Sequence, residues 1–306
     1  MRRGVALLSL ACAASAALAA PGVAATPELR LIATDRGPAP SLGLVADATR
    51  FYAWPASTSH IKVVDDVAQR RANVAGCPPR DARAGELLVD CGGASDPRVI
   101  EIDTGTSVSV ADADAGGRRF PDTLFALGRH WIGGTSCEDP GHCAQVYLNR
   151  RTGERRLFSV DGSDDVTTLQ LDIDTPDLRP LAAPGVFSER IGNYTVSQRR
   201  RGSGHELVLT EGSRRRVLSR CTSVGAGCTS ITFGGSLVTW AEGGTAYVYR
   251  LRSRRPLGMR PPTRADSDSR DLVVRHTRRS VLVLAVDVLG ASDQARALYR
   301  AAAPTG

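Results

Sequence analysis

The chain has 306 residues, 39 basic against 32 acidic, a formal net charge of +7 and 42% hydrophobic residues. That length is enough for one large β domain or two ordinary ones. Nearly all the basic charge is arginine, with Lys62 the only lysine; this is the mark of G+C-rich codons, and no nucleic-acid partner is expected from it.

Residues 1–25 read as a cleavable signal peptide. Met1-Arg2-Arg3 is a basic start, Val5 to Ala20 an apolar run, and Pro21-Gly22-Val23-Ala24-Ala25 a small-residue cleavage site. Val23 and Ala25 suit the −3 and −1 positions, so cleavage is expected after Ala25. The mature chain, residues 26–306, then forms a single domain and carries +5 once Arg2 and Arg3 are gone. A cut after Ala19, an uncleaved anchor and a lipid-modified Cys12 fit less well, because Pro21 and Gly22 break the run and Cys12 falls early in it. No later stretch reaches a membrane-spanning length. The expected location is the periplasm or cell envelope, or the space outside the cell.

Next along the chain comes Glu28-Leu29-Arg30-Leu31-Ile32-Ala33, a strand with no partner nearby. After it one unit recurs: an apolar strand, a variable loop, then a strand–turn–strand with arginines after the turn. Phe51–Trp54 leads to the hairpin from His60, Glu86–Asp90 to that from Arg98, and Arg129–Ile132 to that from Gln145. Asn193–Val196 leads to the hairpin from His205, Leu237–Trp240 to that from Ala246, and Val281–Leu284 to the strand from Ala295, where the chain ends. In each unit the apolar run is read as the second strand and the hairpin as the third and fourth. Short runs such as Ser230–Phe233 and Leu272–Arg275 supply first, inner strands.

A period near 45 residues suits four-stranded propeller blades, whose faces are buried only by stacking on each other. The fold expected is all-β, a six-bladed β-propeller of four-stranded antiparallel blades. The sixth unit lacks a fourth strand, so the N-terminal strand is expected to close it, which removes two open edges at once. In this rhythm the chain resembles the six-bladed TolB-like and WD-repeat-like propellers of exported bacterial proteins, although the Trp-Asp and Gly-His pairs of WD repeats are absent. Seven blades, with one hidden in 161–183, and paired β-sandwiches are the alternative architectures.

Six cysteines follow the signal: Cys77, Cys91, Cys137, Cys143, Cys221 and Cys228. An even count in an exported chain reads as disulfides, and nearest neighbours (77–91, 137–143, 221–228) are the pairing expected. Cys137, His142 and Cys143 offer three zinc ligands without an evident fourth. Asp103-Thr104-Gly105 has the wording of an aspartic-protease loop, but a second such loop is missing and the repeat aligns it with Arg151-Thr152-Gly153 and Glu211-Gly212-Ser213, which are hairpin turns. Asp161–Asp165, Asp172, Asp174, Asp112 and Asp114 lack EF-hand spacing and read as solvated turns. The histidines, His60, His130, His142, His205 and His276, sit in no nucleophile or metalloprotease motif and read as solvated or strand-capping.

No catalytic, cofactor-binding or metal-binding residue is therefore assigned, and no cofactor is expected. The arginines after each turn (Arg70 and Arg71, Arg155 and Arg156, Arg214–Arg216, Arg254 and Arg255) are expected to form a band around the rim. That band either discourages edge-to-edge pairing or touches anionic polymers or lipid headgroups. The expected function is a monomeric binding or interaction scaffold for an envelope protein or an anionic envelope polymer. The alternatives are a hydrolase or lyase with its site at the channel mouth, and a structural envelope protein without a discrete ligand.

Overall fold

The computed structural model describes residues 27–37, 43–57, 59–75, 77–89, 98–109, 123–139, 142–159, 174, 176–177, 187–221, 228–289 and 293–305. Residues 1–25, Cys91, Asp112, Asp114, Asp161–Asp165 and Asp172 lie outside that set.

Strand β1 (Arg30–Gly37) opens the chain but belongs to the last sheet. Blade 1 holds β2 (Val45–Ala46), β3 (Phe51–Ser57), β4 (His60–Asp65) and β5 (Arg70–Ala75). Blade 2 holds β6 (Pro79–Arg83), β7 (Glu86–Val89), β8 (Arg98–Glu101) and β9 (Ser107–Ser109). Blade 3 holds β10 (Thr123–Leu127), β11 (Trp131–Asp139), β12 (His142–Asn149) and β13 (Arg155–Ser159). Blade 4 holds β14 (Phe187–Ile191), β15 (Tyr194–Arg201), β16 (Gly204–Glu211) and β17 (Arg214–Cys221). Blade 5 holds β18 (Thr229–Gly234), β19 (Leu237–Glu242), β20 (Thr245–Arg250) and β21 (Leu257–Met259). Blade 6 holds β22 (Ser269–His276), β23 (Ser280–Val288) and β24 (Gln294–Ala302), and β1 completes it.

The result is a six-bladed propeller of antiparallel four-stranded sheets; blades 1 to 5 run in chain order across the sheet, and blade 6 ends on β1. The N-terminal strand closes the ring: β1 pairs antiparallel with β24, from Arg30 opposite Arg300 to Gly37 opposite Gln294. All six apolar runs are second strands and the expected hairpins follow them. Thr135–Asp139 and His142–Ala144 extend the β11–β12 ladder, with Asp139 opposite His142.

The core is a set of interfaces between blades, because side chains alternate along a strand and each face meets a different neighbour. Phe51 and Ala53 pack toward blade 2 with Leu87, Val89 and Ile100. Their neighbours Tyr52 and Trp54 pack toward blade 6 with Leu282, Leu284 and Leu298. Trp240, Val238 and Tyr249 join blade 5 to Val196, Leu207 and Leu209 of blade 4.

The hairpin turns are built as expected. Gly105 has φ +73°, and its N–H donates to the Glu101 carbonyl at 2.8 Å. Gly153 repeats this with Asn149 at 3.0 Å. Left-handed backbone at these points is cheap for glycine and strained for other residues. Asp103 in the first of these turns is held by both terminal nitrogens of Arg50, at 2.9 Å each, which ties blade 1 to blade 2.

Arginines near the turns and strand ends tie other blades together. Arg150 of blade 3 meets Glu86 of blade 2 at 2.5 Å. Arg216 of blade 4 donates to the Tyr249 hydroxyl of blade 5 at 2.6 Å. At the closing seam Arg300 of blade 6 donates to Asp66 of blade 1 at 2.6 Å, and the Thr277 hydroxyl donates to the same carboxylate. Asp66 is fully buried there.

One disulfide, Cys221–Cys228, spans seven positions and joins the end of β17 to the start of β18, so it connects two blades. Cys77 is also disulfide-bonded. Cys137 and Cys143 are directly opposite residues of β11 and β12.

Removing one partner of a buried pair leaves the other uncompensated. Asp66→Ala is expected to lower unfolding free energy by about 2–3 kcal/mol, below the fully buried range because Arg300 keeps some solvent. The double variant Asp66→Ala with Arg300→Met should recover part of the loss in urea titrations. Cys221→Ser with Cys228→Ser should cost about 2 kcal/mol in the same assay, the chain-entropy value of so short a loop.

Candidate functional site

Each blade offers its first strand's free edge to the axis, and an unpaired backbone N–H there must find another partner. Three inner strands solve this with a side chain aimed at the next blade. Asp81 on β6 accepts the Leu127 N–H of β10 at 2.7 Å through Oδ2 and the Ala82 N–H at 2.8 Å through Oδ1. Glu189 on β14 accepts the Phe233 N–H of β18. Ser230 on β18 accepts the Val274 N–H of β22 at 2.7 Å and donates to the Val274 carbonyl at 3.2 Å. Ser230 adopts φ +53°, within the stretch where the β18–β19 register shifts between Thr229 and Thr232.

Two guanidiniums complete the axial cluster. Arg275 on β22 donates through Nη1 to Ser230 Oγ at 2.8 Å and to the Val274 carbonyl at 3.0 Å. Arg83, two residues after Asp81, pairs with Asp174, whose other oxygen accepts the Arg129 N–H at 2.9 Å. The cluster thus gathers Asp81, Arg83, Asp174, Glu189 and Arg275 from blades 2, 4 and 6 and the segment between blades 3 and 4. Burial pushes the Glu189 carboxyl up to about 7, against the pull of the Phe233 N–H and Arg83. Burial also raises Asp81, opposed by its two backbone donors and then by Arg275.

At one end of the inner strands the ring is tightly packed. A Cβ added to Gly234 would lie 2.2 Å from the Ala48 side chain and 3.1 Å from His276 Nε2. His276, read from sequence as solvated or strand-capping, is instead fully buried. Its Nε2–H donates to the Gly234 carbonyl at 3.2 Å, and the Thr239 hydroxyl donates to Nδ1 at 3.2 Å. A neutral ring satisfies both contacts, and burial holds its pKa down near 4.

A second concavity lies on the seam between blades 6 and 1. It encloses about 1030 Å³ between β1 and β24 on one side and β3, β4 and β5 on the other. Trp54 and Tyr52 lie in its wall, stacked with ring centroids 5.7 Å apart and planes 14° apart. Lys62, Arg71 and Arg30 line it as cations without an acidic partner among the described residues.

No family model matches the chain, and no curated protein matches it. Solved structures are similar at low identity. The β-propeller domain of the Trilobed protease from Pyrococcus furiosus superposes with a TM-score of 0.48 at 9% identity, over 85% of this chain and 94% of that one. The AfRom2 CNH domain gives 0.46 at 8%, over 91% and 100%. Kluyveromyces lactis Hsv2 with its complete loop 6CD gives 0.42 at 8%, over 80% and 92%. Such distant likeness carries nothing about ligand or reaction.

The rim arginines fall where the repeat put them: Arg70 and Arg71 on β5, Arg155 and Arg156 on β13, Arg214–Arg216 on β17, Arg254 and Arg255 just before β21. Several are engaged structurally. Arg156 lies 4.9 Å over the Trp131 ring and donates to the Asp177 carbonyl at 2.8 Å. Among the described residues Cys221, Cys228 and Glu242 come close enough to hold a metal, but the two sulfurs are joined to each other and offer no thiolate. Asp81 and Glu189 were missed from sequence. Their signal is positional: each is an acid two residues before the end of a first strand.

These groups predict opposite pH effects. His276 ionises near pH 4 when folded and near 6.5 when free, so the unfolded chain binds more protons between those values. Its contribution is complete above about pH 6.5 and falls by about 3 kcal/mol as pH drops through 4. Glu189 runs the other way, since its folded value of about 7 lies above the ordinary 4.5. Its contribution is present at low pH and is lost as pH rises through 7. Glu189→Gln should therefore steepen the gain in urea stability between pH 4.5 and 7, and His276→Asn should flatten it.

Proposed function

We propose that the protein is exported as residues 26–306 and acts as a monomeric binding scaffold in the cell envelope or outside the cell. The observation that carries this reading is how the axial charges are used. Asp81, Glu189, Arg83 and Arg275 are engaged in linking one inner strand to the next or to the segment before blade 4. Such groups hold a ring rigid and leave binding to its outer surfaces. A disulfide between blades 4 and 5 fits an oxidising compartment. No helix among the described residues is long and apolar enough to cross a membrane.

One observation favours a second reading. A carboxyl near pKa 7 beside a second acid has the make-up of a general acid, and Glu189 with Asp81 has that character. In that reading the channel is a hydrolase or lyase site. A turnover screen of aryl esters, aryl glycosides and uronate polymers, run on the wild type and Glu189→Gln, separates the two. The scaffold reading expects no turnover that Glu189→Gln abolishes. A loss of a hundredfold or more in a real turnover establishes the enzyme instead. For export, N-terminal sequencing of protein recovered outside the cytoplasm should begin at Thr26, and a retained Met1 would refute cleavage.

A further inference from the structure

We propose that the groove between blades 6 and 1 binds an anionic glycan, a chain of sugar rings bearing carboxylates. This rests on the scaffold reading and names its site and its ligand class.

The groove arises from one departure from the repeat. Trp54 and Trp240 hold the same place, the fourth residue of a second strand facing the preceding blade. Opposite Trp240 stands Tyr247, stacked on it at 5.2 Å and 13°. Opposite Tyr247 on the outer strand is Gly258, where a Cβ would press on the Tyr247 ring at 3.1 Å. That stack occupies the corresponding place in blade 5. In blade 1 the partner of Trp54 is Lys62, and the partner of Lys62 is Asn73. Two polar side chains replace an aromatic ring and a glycine, and the space between the blades stays open.

The lining selects the occupant. Lys62 and Arg71 on blade 1 and Arg30 on β1 have no acidic partner among the described residues, and Glu28 is the one acid in the lining. Arg300, at the same wall, is already taken by Asp66 and the Ser280 hydroxyl. The Tyr52 hydroxyl and Trp54 indole N–H also have no hydrogen-bond partner among the described residues. Donors therefore outnumber acceptors. A peptide strand brings its own N–H groups and would leave them short of acceptors, whereas uronate rings bring carboxylates and adaptable hydroxyls. Ile32, packed with Tyr52 and Trp54, adds an apolar contact for the ring faces. A flat bilayer does not reach into a concave groove of this kind.

The test uses mature protein and oligogalacturonate, read by tryptophan fluorescence and calorimetry. Amylose oligomers of equal length, poly-glutamate and phosphatidylglycerol vesicles are the comparison probes. Oligogalacturonate should bind, with affinity falling as salt rises. Lys62→Ala with Arg71→Ala should weaken it at least about tenfold, as expected for two charge-assisted contacts. Lys62→Tyr, which copies blade 5, should fill the groove and abolish binding without loss of fold. Arg254→Ala with Arg255→Ala, on the rim elsewhere, should bind like wild type. Equal binding by the groove variants, or equal weakening by the rim variant, overturns the site. Tighter binding of poly-glutamate, vesicles or amylose overturns the ligand class while leaving the scaffold reading in place. Binding of no probe removes the groove assignment, and the scaffold reading then stands or falls on the turnover screen.

Discussion

The pairing of β1 with β24 is the contact on which the ring depends. Without it blade 6 is a three-stranded sheet with an open edge, and the seam with blade 1 loses its outer wall. The buried cluster of Asp66, Thr277, Ser280 and Arg300 lies at this same seam. Its geometry is set by two blades from opposite ends of the sequence, so it forms only when the circle is complete. The groove beside it, with Lys62 and Arg71, is a product of the same meeting.

A ring of sheets also leaves six inner strand edges around its axis. Hydrogen-bonding side chains meet this demand where strand-to-strand pairing cannot. Asp81, Glu189 and Ser230 each cross to the following blade and accept a backbone N–H. The same placement desolvates the two carboxyls and raises their pKa. Perturbed acids near a propeller axis can therefore arise from edge satisfaction alone, and they become evidence for chemistry only when turnover depends on them.

The second and third strands were legible because their signals are local. Short alternating apolar runs and glycine-bearing turns such as Asp103-Thr104-Gly105 report a hairpin wherever they occur. Closure by the N-terminal strand was legible from a count, since six units lacked one strand. The axial acids were not, because β6 and β14 read as polar segments and their meaning depends on which blade lies beside them. His276 misled for the same reason: its neighbours Gly234 and Thr239 are about forty residues away, on another blade. Lys62 reads as an ordinary exposed strand residue until its counterpart Tyr247 is seen packed in the corresponding place.

The closing strand has a kinetic consequence. Asp66 and Arg300 are 234 residues apart, and among the described strands β1 comes first in the chain and its partner β24 last. Blades 1 to 5 are assembled from local hairpins and can form as the chain lengthens. The sixth must wait for two distant ends to meet, and a contact of such sequence separation carries the largest loop-closure entropy in the molecule. The seam is therefore expected to be the last part to form.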